Sequence, residues 1–159
     1  MAKNTDLLIT INREDYKRAK ADFACPVKMI DGAGVDTAKF KKTTKAEQAA
    51  ARKKYGLAAD DFVMVYLAEY TANKNHEMLI RAAAPIMREN SHVKLLFLGQ
   101  GDLMDAMKEL ATELGVEKQV VMPGYIRDNY AALVQSCNLC VSASKREGLG
   151  LGVLEGVLC

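Results

Sequence analysis

The sequence has little imbalance of charge, few cysteines and no long hydrophobic run, and each absence excludes a class of protein. Its 159 residues carry 22 Lys and Arg against 20 Asp and Glu, which argues against a dedicated nucleic-acid binder. Four irregularly spaced cysteines are too few for a secreted disulfide framework, so we expect reduced thiols. No run approaches the roughly 18 apolar residues of a membrane span, and no signal-peptide pattern opens the chain. A soluble cytoplasmic protein is the expectation.

The hydrophobic pattern predicts an α/β fold. Half of the residues are hydrophobic, which is ordinary globular usage. From residue 27 onward short apolar runs alternate with longer helical patterns, with strands expected at 61–67, 92–98, 119–122 and 138–142, and helices at 77–90, 103–114 and 128–136. A further helix after Thr44 begins with a capping box. Nearly continuous apolar strands separated by helices predict a Rossmann-like parallel sheet with helices on both faces.

Both ends of the sequence depart from this alternation. Residues 1–24 predict one strand and one helix, which we interpret as the remnant of a preceding N-terminal domain, so that the Rossmann-like domain covers residues 25–159. The last three residues, 157–159, fall inside an apolar helical pattern. We therefore expect a domain that is incomplete at its C-terminus, with exposed apolar surface that favours self-association.

The segment 144–155 is the strongest candidate site. Ligands of open α/β sheets bind beyond the carboxyl ends of the strands, and this segment follows the last predicted strand. Glu147 and Glu155 bracket a glycine-rich turn that opens a helix. The glycines permit close approach of the backbone to a ligand, the helix N-terminus attracts phosphate, and carboxylates accept hydrogen bonds from sugar hydroxyls. The alternative is an ordinary glycine-rich loop with surface glutamates.

A second candidate is Lys74, which stands where a helix begins. The helix dipole prefers negative charge there, so a lysine indicates a bound phosphate, although a solvated loop lysine explains it as well. His76 and His92 offer no partner for nucleophilic or metal chemistry.

Two further patterns resemble cofactor or metal motifs but do not predict such sites. Gly99 and Gly101 follow a strand, but the third glycine of a dinucleotide fingerprint is absent, which leaves only the close backbone approach that glycines allow. Cys137 and Cys140 have the spacing of a redox or zinc half-site without a second pair, so core packing is favoured.

Several motifs follow one another in a fixed order. They are Gly-Ala-Gly-Val-Asp-Thr-Ala-Lys-Phe at 32–40, Asn-Lys-Asn-His at 73–76, Leu-Gly-Gln-Gly at 98–101, Pro-Gly-Tyr-Ile-Arg-Asp at 123–128, and Ser144-x-x-Glu147-Gly-x-Gly with Glu155. This series resembles the family 4 retaining glycosyltransferases of the GT-B fold. The Asn-Lys-Asn-His variant is similar to capsular and exopolysaccharide enzymes in particular.

The resemblance implies an activity for the longer protein. The chain would be one incomplete half of a GT-B fold, the donor-binding part of an enzyme that moves a hexose from a UDP- or GDP-linked sugar to a glycan or lipid-linked acceptor. The acceptor would bind through the missing N-terminal domain, without a metal or other cofactor, in polysaccharide biosynthesis in the cytoplasm or at the inner face of the plasma membrane. The fragment alone would be inactive. A non-catalytic or split-subunit nucleotide-sugar-binding module that needs a partner chain is the alternative.

The resemblance also implies roles for individual residues. The catalytic residues would be Lys74, on the donor diphosphate, and Glu147, on the transferred sugar. The implied donor-binding residues are Gly148, Leu149 and Gly150 through their backbone N–H groups, Glu155 on the ribose hydroxyls, Gly124, Tyr125 and Ile126 along the base, and Gly99 and Gly101 in the cleft. The chain departs from the family at Ala68-Glu69, where many relatives carry Gly-Arg, so Lys74 acts alone or with Arg146. Gly156 replaces the usual alanine.

Overall fold

The structure, a computed structural model, describes residues 4–32 and 34–159. The chain divides into two units, the first comprising Met1–Asp36 with Glu147–Leu151, and the second Thr37–Arg146 with Gly152–Cys159. Residues 1–3 of the predicted N-terminal remnant lie outside the described residues. The domain boundary expected between residues 24 and 25 stays a prediction.

The described residues of the first unit include two parallel strands and the helix between them. Its elements are β1 (Leu8–Thr10), α1 (Arg13–Asp22) and β2 (Val27–Met29). β1 pairs in parallel with β2, with Leu8 opposite Val27. Helix α1 begins after Asn12, whose side-chain oxygen accepts a hydrogen bond from the Asp15 amide at 2.8 Å, because such a cap satisfies an amide that lacks a partner within the helix.

The second unit is built on a four-stranded parallel sheet. Its elements are a 3-10 turn (Thr37–Phe40), α2 (Lys45–Lys54), β3 (Phe62–Leu67), α3 (His76–Glu89), β4 (Val93–Leu98), α4 (Met104–Glu113), β5 (Val120–Gly124), α5 (Tyr130–Gln135), β6 (Leu139–Cys140) and α6 (Leu151–Leu158). The first residue of α6 belongs to the first unit. The strand order is β5-β4-β3-β6, and every pair is parallel. The predicted α/β fold is confirmed.

Helices cover both faces of this sheet because the central strands are apolar on both sides. Along β4, Leu95 and Phe97 pack with helices α3 and α4, whereas Leu96 and Leu98 pack with α2 and α5. Side chains of a strand alternate between the two faces, so one apolar run supplies two cores. The continuous hydrophobic run of β4 thus explains the layered architecture.

Local signals place most helix ends correctly. Thr44 and Glu47 form the predicted capping box at the start of α2. Helix α5 begins at Tyr130, two residues later than predicted. The preceding residue, Asn129, has a left-handed backbone with φ of 60° and so cannot be part of the helix. Helix α3 runs through Pro85. No helix among the described residues combines the length and the apolar character needed to cross a bilayer.

A buried arginine and the cysteines complete the packing beside α2. Arg52 donates hydrogen bonds to the carbonyls of Ser136, Ala58, Ala59 and Asp61 and to the Asn138 side chain, over 2.8–3.2 Å. The cysteines are free thiols, and Cys137 and Cys140 pack against the core cluster formed with α2 and α5. Burial raises the pKa of Cys137 to about 12. The core-packing interpretation of this pair is confirmed.

Candidate functional site

The carboxyl ends of β3 and β6 lie where the strand order of the sheet reverses. The chain builds the sheet from β3 to β4 and β5 on one side, and then places β6 on the other side of β3. In open parallel sheets ligands bind in the crevice beyond such a switch point. The loops that follow β3 and β6 are therefore the first place to look for a binding site.

Asn73 joins these two loops. Its backbone oxygen accepts a hydrogen bond from the Lys145 amide at 2.8 Å. Its side-chain oxygen accepts from the Arg146 amide at 3.1 Å, and its side-chain nitrogen donates to the Arg146 carbonyl at 2.8 Å. Because three hydrogen bonds fix both position and direction, the loop after β3 is held against the loop after β6.

A buried tyrosine supports the same junction from the strand. The Tyr66 hydroxyl donates to the Lys74 carbonyl at 2.8 Å and lies 2.8 Å from the Ser144 hydroxyl. A phenol has one proton, so Ser144 donates to Tyr66 while Tyr66 donates to Lys74. The backbone of Lys74 is thereby tied to β3 and to the loop after β6.

Lys74 lies half-buried, next to Asn75, the residue that precedes helix α3. Asn75 occupies the left-handed region with φ of 55°, and its side chain makes no capping hydrogen bond. The first amides of a helix have no intrahelical partner and attract anions. The structure thus places a lysine at the positive end of a helix that lacks a side-chain cap, and the diphosphate contact stays a prediction.

The first residue of α3, His76, is packed among aromatic rings. It is 3% exposed and stacks on Tyr70 with ring centroids 4.3 Å apart, next to Tyr66 and Phe97. Among the described residues, His76 Nε2 is the buried side-chain nitrogen or oxygen atom without a hydrogen-bond partner. The pKa of His76 is lowered to about 4, chiefly by burial; a backbone hydrogen bond at Ala68 raises it and the Lys74 charge lowers it. His76 is therefore a neutral structural residue beneath the loop.

Gly99 and Gly101 bring the loop after β4 against the loop after β3. A Cβ added at Gly99 would overlap the carbonyl oxygen of Ala68, and one added at Gly101 would come within 2.8 Å of the Tyr70 nitrogen. The Gly99 amide also donates to the Gly124 carbonyl at 3.2 Å. These glycines permit close approach of neighbouring chain segments, and the cleft-lining role stays a prediction.

The residues predicted to lie along the base follow β5. Gly124 has φ of 83°, in the left-handed region that glycine adopts without strain. Tyr125 is 62% exposed, with the Arg127 guanidinium 5.8 Å from its ring centroid, whereas Ile126 packs against the core cluster formed with α2 and α5. The structure thus leaves an aromatic ring accessible at this strand end.

Glu155, on α6, is held by a neighbour from α5. Its Oε2 accepts a hydrogen bond from the Tyr130 hydroxyl at 2.6 Å. The Tyr130 ring packs edge-on against Phe40, with centroids 6.0 Å apart and planes at 69°. Burial, together with the hydrogen bond to Glu155 and its charge, raises the pKa of Tyr130, so the hydroxyl stays protonated at neutral pH.

The remaining predicted residues, Glu147, Gly148, Leu149 and Gly150, belong to the first unit. Within that unit the Gly148 carbonyl accepts a hydrogen bond from the Asn12 side chain at 3.2 Å. Leu149 packs against Gly32 so closely that a Cβ there would lie 2.8 Å from it. Gly150 has φ of 64°, which favours glycine. Their roles toward a ligand stay predictions.

Sequence reasoning does not single out Asn73, Tyr66 or Tyr130. Asn73 stands beside Lys74 in the Asn-Lys-Asn-His motif, and an asparagine in a loop after a strand is a signal that could have identified it. Tyr66 and Tyr130 stand in an apolar strand and an apolar helix, where any apolar residue would fit the pattern. Only the hydrogen-bond partners of their hydroxyl groups reveal a role.

The family model for "Glycosyl transferases group 1" matches residues 47–159. This match covers more than half of the sequence and includes the loops after β3, β4, β5 and β6. The chain belongs to the group 1 glycosyl transferases.

Individual relatives agree with this assignment. The chain is 41% identical to EpsD of Bacillus subtilis (strain 168), whose name describes a glycosyltransferase, over 96% of this chain and 40% of that protein. It is 29% identical to D-inositol 3-phosphate glycosyltransferase of Mycobacteroides abscessus, over 97% of this chain and 32% of that protein. The crystal structure of Anabaena Alr3699/HepE in complex with UDP and glucose superposes with a TM-score of 0.81 at 25% identity, covering 99% of this chain and 43% of that chain. The chain thus spans less than half the length of these relatives.

Proposed function

We propose that this chain is the donor-binding part of a retaining glycosyltransferase. The longer protein would transfer a hexose from a UDP- or GDP-linked sugar to a glycan or lipid-linked acceptor in polysaccharide biosynthesis. The 159 residues alone would bind the nucleotide without transferring the sugar, because the chain spans about 40% of the length of EpsD. Neither a metal nor another cofactor is part of the proposal.

The junction at the switch point is the observation that carries the proposal. Asn73 and Tyr66 hold the loop after β3 against the loop after β6, and Lys74 stands in this junction at the start of α3. A lysine and the free amides of a helix N-terminus together form a site for a diphosphate. The UDP complex of the HepE structure supports the same ligand class.

The proposed mechanism is electrostatic. Negative charge develops on the departing nucleotide diphosphate as its bond to the sugar breaks, and the sugar centre becomes cationic. Lys74 and the N-terminus of α3 stabilise that negative charge, because preorganised donors lower the barrier without reorganising. Glu155 holds the ribose hydroxyls, and the segment around Tyr125 lies along the base.

The roles assigned to the first unit rest on the family resemblance alone. Glu147 is proposed to hold the transferred sugar. Gly148, Leu149 and Gly150 are proposed to donate backbone N–H groups to the sugar and phosphate.

Calorimetric titration of the 159-residue chain tests the donor site. We expect UDP or GDP to bind, and Lys74→Ala to weaken that binding by about tenfold or more, since a hydrogen bond to a charged group contributes about 1.5–3 kcal/mol. Lys118→Ala is the matched control, because Lys118 is exposed and precedes β5 at the opposite end of the strands. Competition with NAD distinguishes this site from a general dinucleotide site.

Two results would overturn the proposal. One is a chain that binds neither UDP nor GDP while its circular dichroism shows it to be folded. The other is equal loss of affinity in the Lys74 and Lys118 variants, which would assign the effect to net charge instead of to the junction.

A further inference from the structure

The hydrogen bond between Tyr130 and Glu155 joins the first residue of α5 to the middle of α6. At 2.6 Å it has the short length of a bond in which the acceptor is ionised. The Tyr130 ring is itself fixed, since it packs edge-on against Phe40 of the 3-10 turn. The hydroxyl is therefore presented from a position that neighbouring elements determine.

This bond restricts a side chain that would otherwise sample several rotamers. A free glutamate on a helix rotates about three torsions, and ordering it on ligand binding costs conformational entropy. With Oε2 held by Tyr130, the Glu155 carboxylate has a defined direction before any ligand arrives. A carboxylate offers about four acceptor positions and Tyr130 occupies one, so about three are left, which is enough for two hydroxyl donors.

We propose that Tyr130 is a positioning residue that orients the Glu155 carboxylate toward the vicinal hydroxyls of the nucleotide's ribose. It thereby sets the preference of this site for a ribonucleotide over its 2′-deoxy analogue. The inference rests on the proposed function, in which Glu155 contacts the ribose. It adds a residue that does not itself touch the ligand.

The experiment compares affinities for UDP and 2′-deoxy-UDP, or for GDP and 2′-deoxy-GDP if guanosine binds better. Calorimetry gives the ratio for the wild-type chain, Tyr130→Phe, Glu155→Ala and the double variant. Phenylalanine keeps the aromatic packing on Phe40 and removes only the hydroxyl. Tyr55→Phe is the control, since Tyr55 packs against the same core cluster as Tyr130 and lies outside the proposed site.

We expect the wild-type chain to prefer the ribonucleotide by about tenfold, the factor that about 1.4 kcal/mol provides. Tyr130→Phe should reduce this preference at least threefold, chiefly by weakening ribonucleotide binding, while Tyr55→Phe retains it. In the Glu155→Ala background, Tyr130→Phe should change the ratio no further, because the carboxylate that Tyr130 positions is absent.

The other outcomes separate the two proposals. If Tyr130→Phe weakens both nucleotides equally, or keeps the wild-type ratio, the positioning role is overturned and nucleotide binding stands. If the wild-type chain binds nucleotide without distinguishing the deoxy form, the ribose contact of Glu155 is overturned together with the role of Tyr130. If it binds no nucleotide at all, the proposed function fails as well.

Discussion

The buried imidazole of His76 predicts a loss of stability at mildly acidic pH. Its pKa is about 4 in the folded chain against an ordinary value of 6.5. Three aromatic side chains surround the imidazole, and Nε2 has no hydrogen-bond partner. A proton added there would find no acceptor, so the charged form is disfavoured. Between these two pH values the unfolded chain binds a proton that the folded chain does not.

The sign and size of the effect follow from this difference. The contribution to the free energy of unfolding is complete above pH 6.5 and declines as pH falls toward 4. The slope reaches about 1.4 kcal/mol per pH unit, so the total contribution lost is about 3 kcal/mol. Such a loss is a substantial fraction of the roughly 5–15 kcal/mol by which a typical domain is stable.

Urea unfolding followed by circular dichroism at about pH 7.5, 6.5, 5.5 and 4.5 measures the effect. His76→Phe keeps a flat ring against Tyr70 and removes the titration. Carboxyl groups titrate in both proteins, so the informative quantity is the stability difference between wild type and variant. That difference should move by about 3 kcal/mol in favour of the variant as pH falls.

His92→Asn is the matched control. It removes the second of the two histidines in the sequence. His92 is exposed, and its Nδ1 lies 3.4 Å from Asp60 Oδ2 and 3.5 Å from Asp61 Oδ1. We expect this variant to retain the pH dependence attributed to His76. If the free energy of unfolding of wild type and of His76→Phe differs by the same amount at every pH of the series, the reasoning is refuted.

Two further predictions concern packing. Arg52→Met should lower the free energy of unfolding by about 3 kcal/mol or more, because buried carbonyls lose their donor; Lys53→Met on the exposed face of α2 should change little in the same urea titration. Gly156→Ala should cost about 1–2 kcal/mol despite the better helix propensity of alanine, because the new Cβ overlaps the Cys140 sulfur. Cys140→Ala should rescue it in a double-mutant cycle, and an unaltered melting temperature in Gly156→Ala would contradict this steric account.

The departures from the family pattern take on a physical meaning in the structure. The family resemblance marks Gly156 as a departure from an expected alanine, and here the Cys140 side chain fills the adjoining space. The resemblance also marks Glu69 as a departure from an expected arginine, and Glu69 lies in the loop that Gly99 and Gly101 approach closely. A cysteine and a glycine therefore compensate each other across β6 and α6.

The sequence by itself determined the class of fold and most of its elements. Apolar runs such as that of β4 specify strands buried on both faces, and the capping box at Thr44 and Glu47 specifies where α2 begins. Both signals are local, since they depend on residue spacing and on hydrogen bonds within one turn. The motif order likewise indicated the family that the comparisons confirm.

Only the tertiary structure decided which loops meet and which side chains hold them. Periodicity states which face of a strand is buried, but it does not state which strands are neighbours. The order β5-β4-β3-β6 brings Asn73 to Arg146, and the docking of α6 near α5 brings Glu155 to Tyr130. These hydrogen bonds join residues that lie 73 and 25 positions apart, so no local pattern records them.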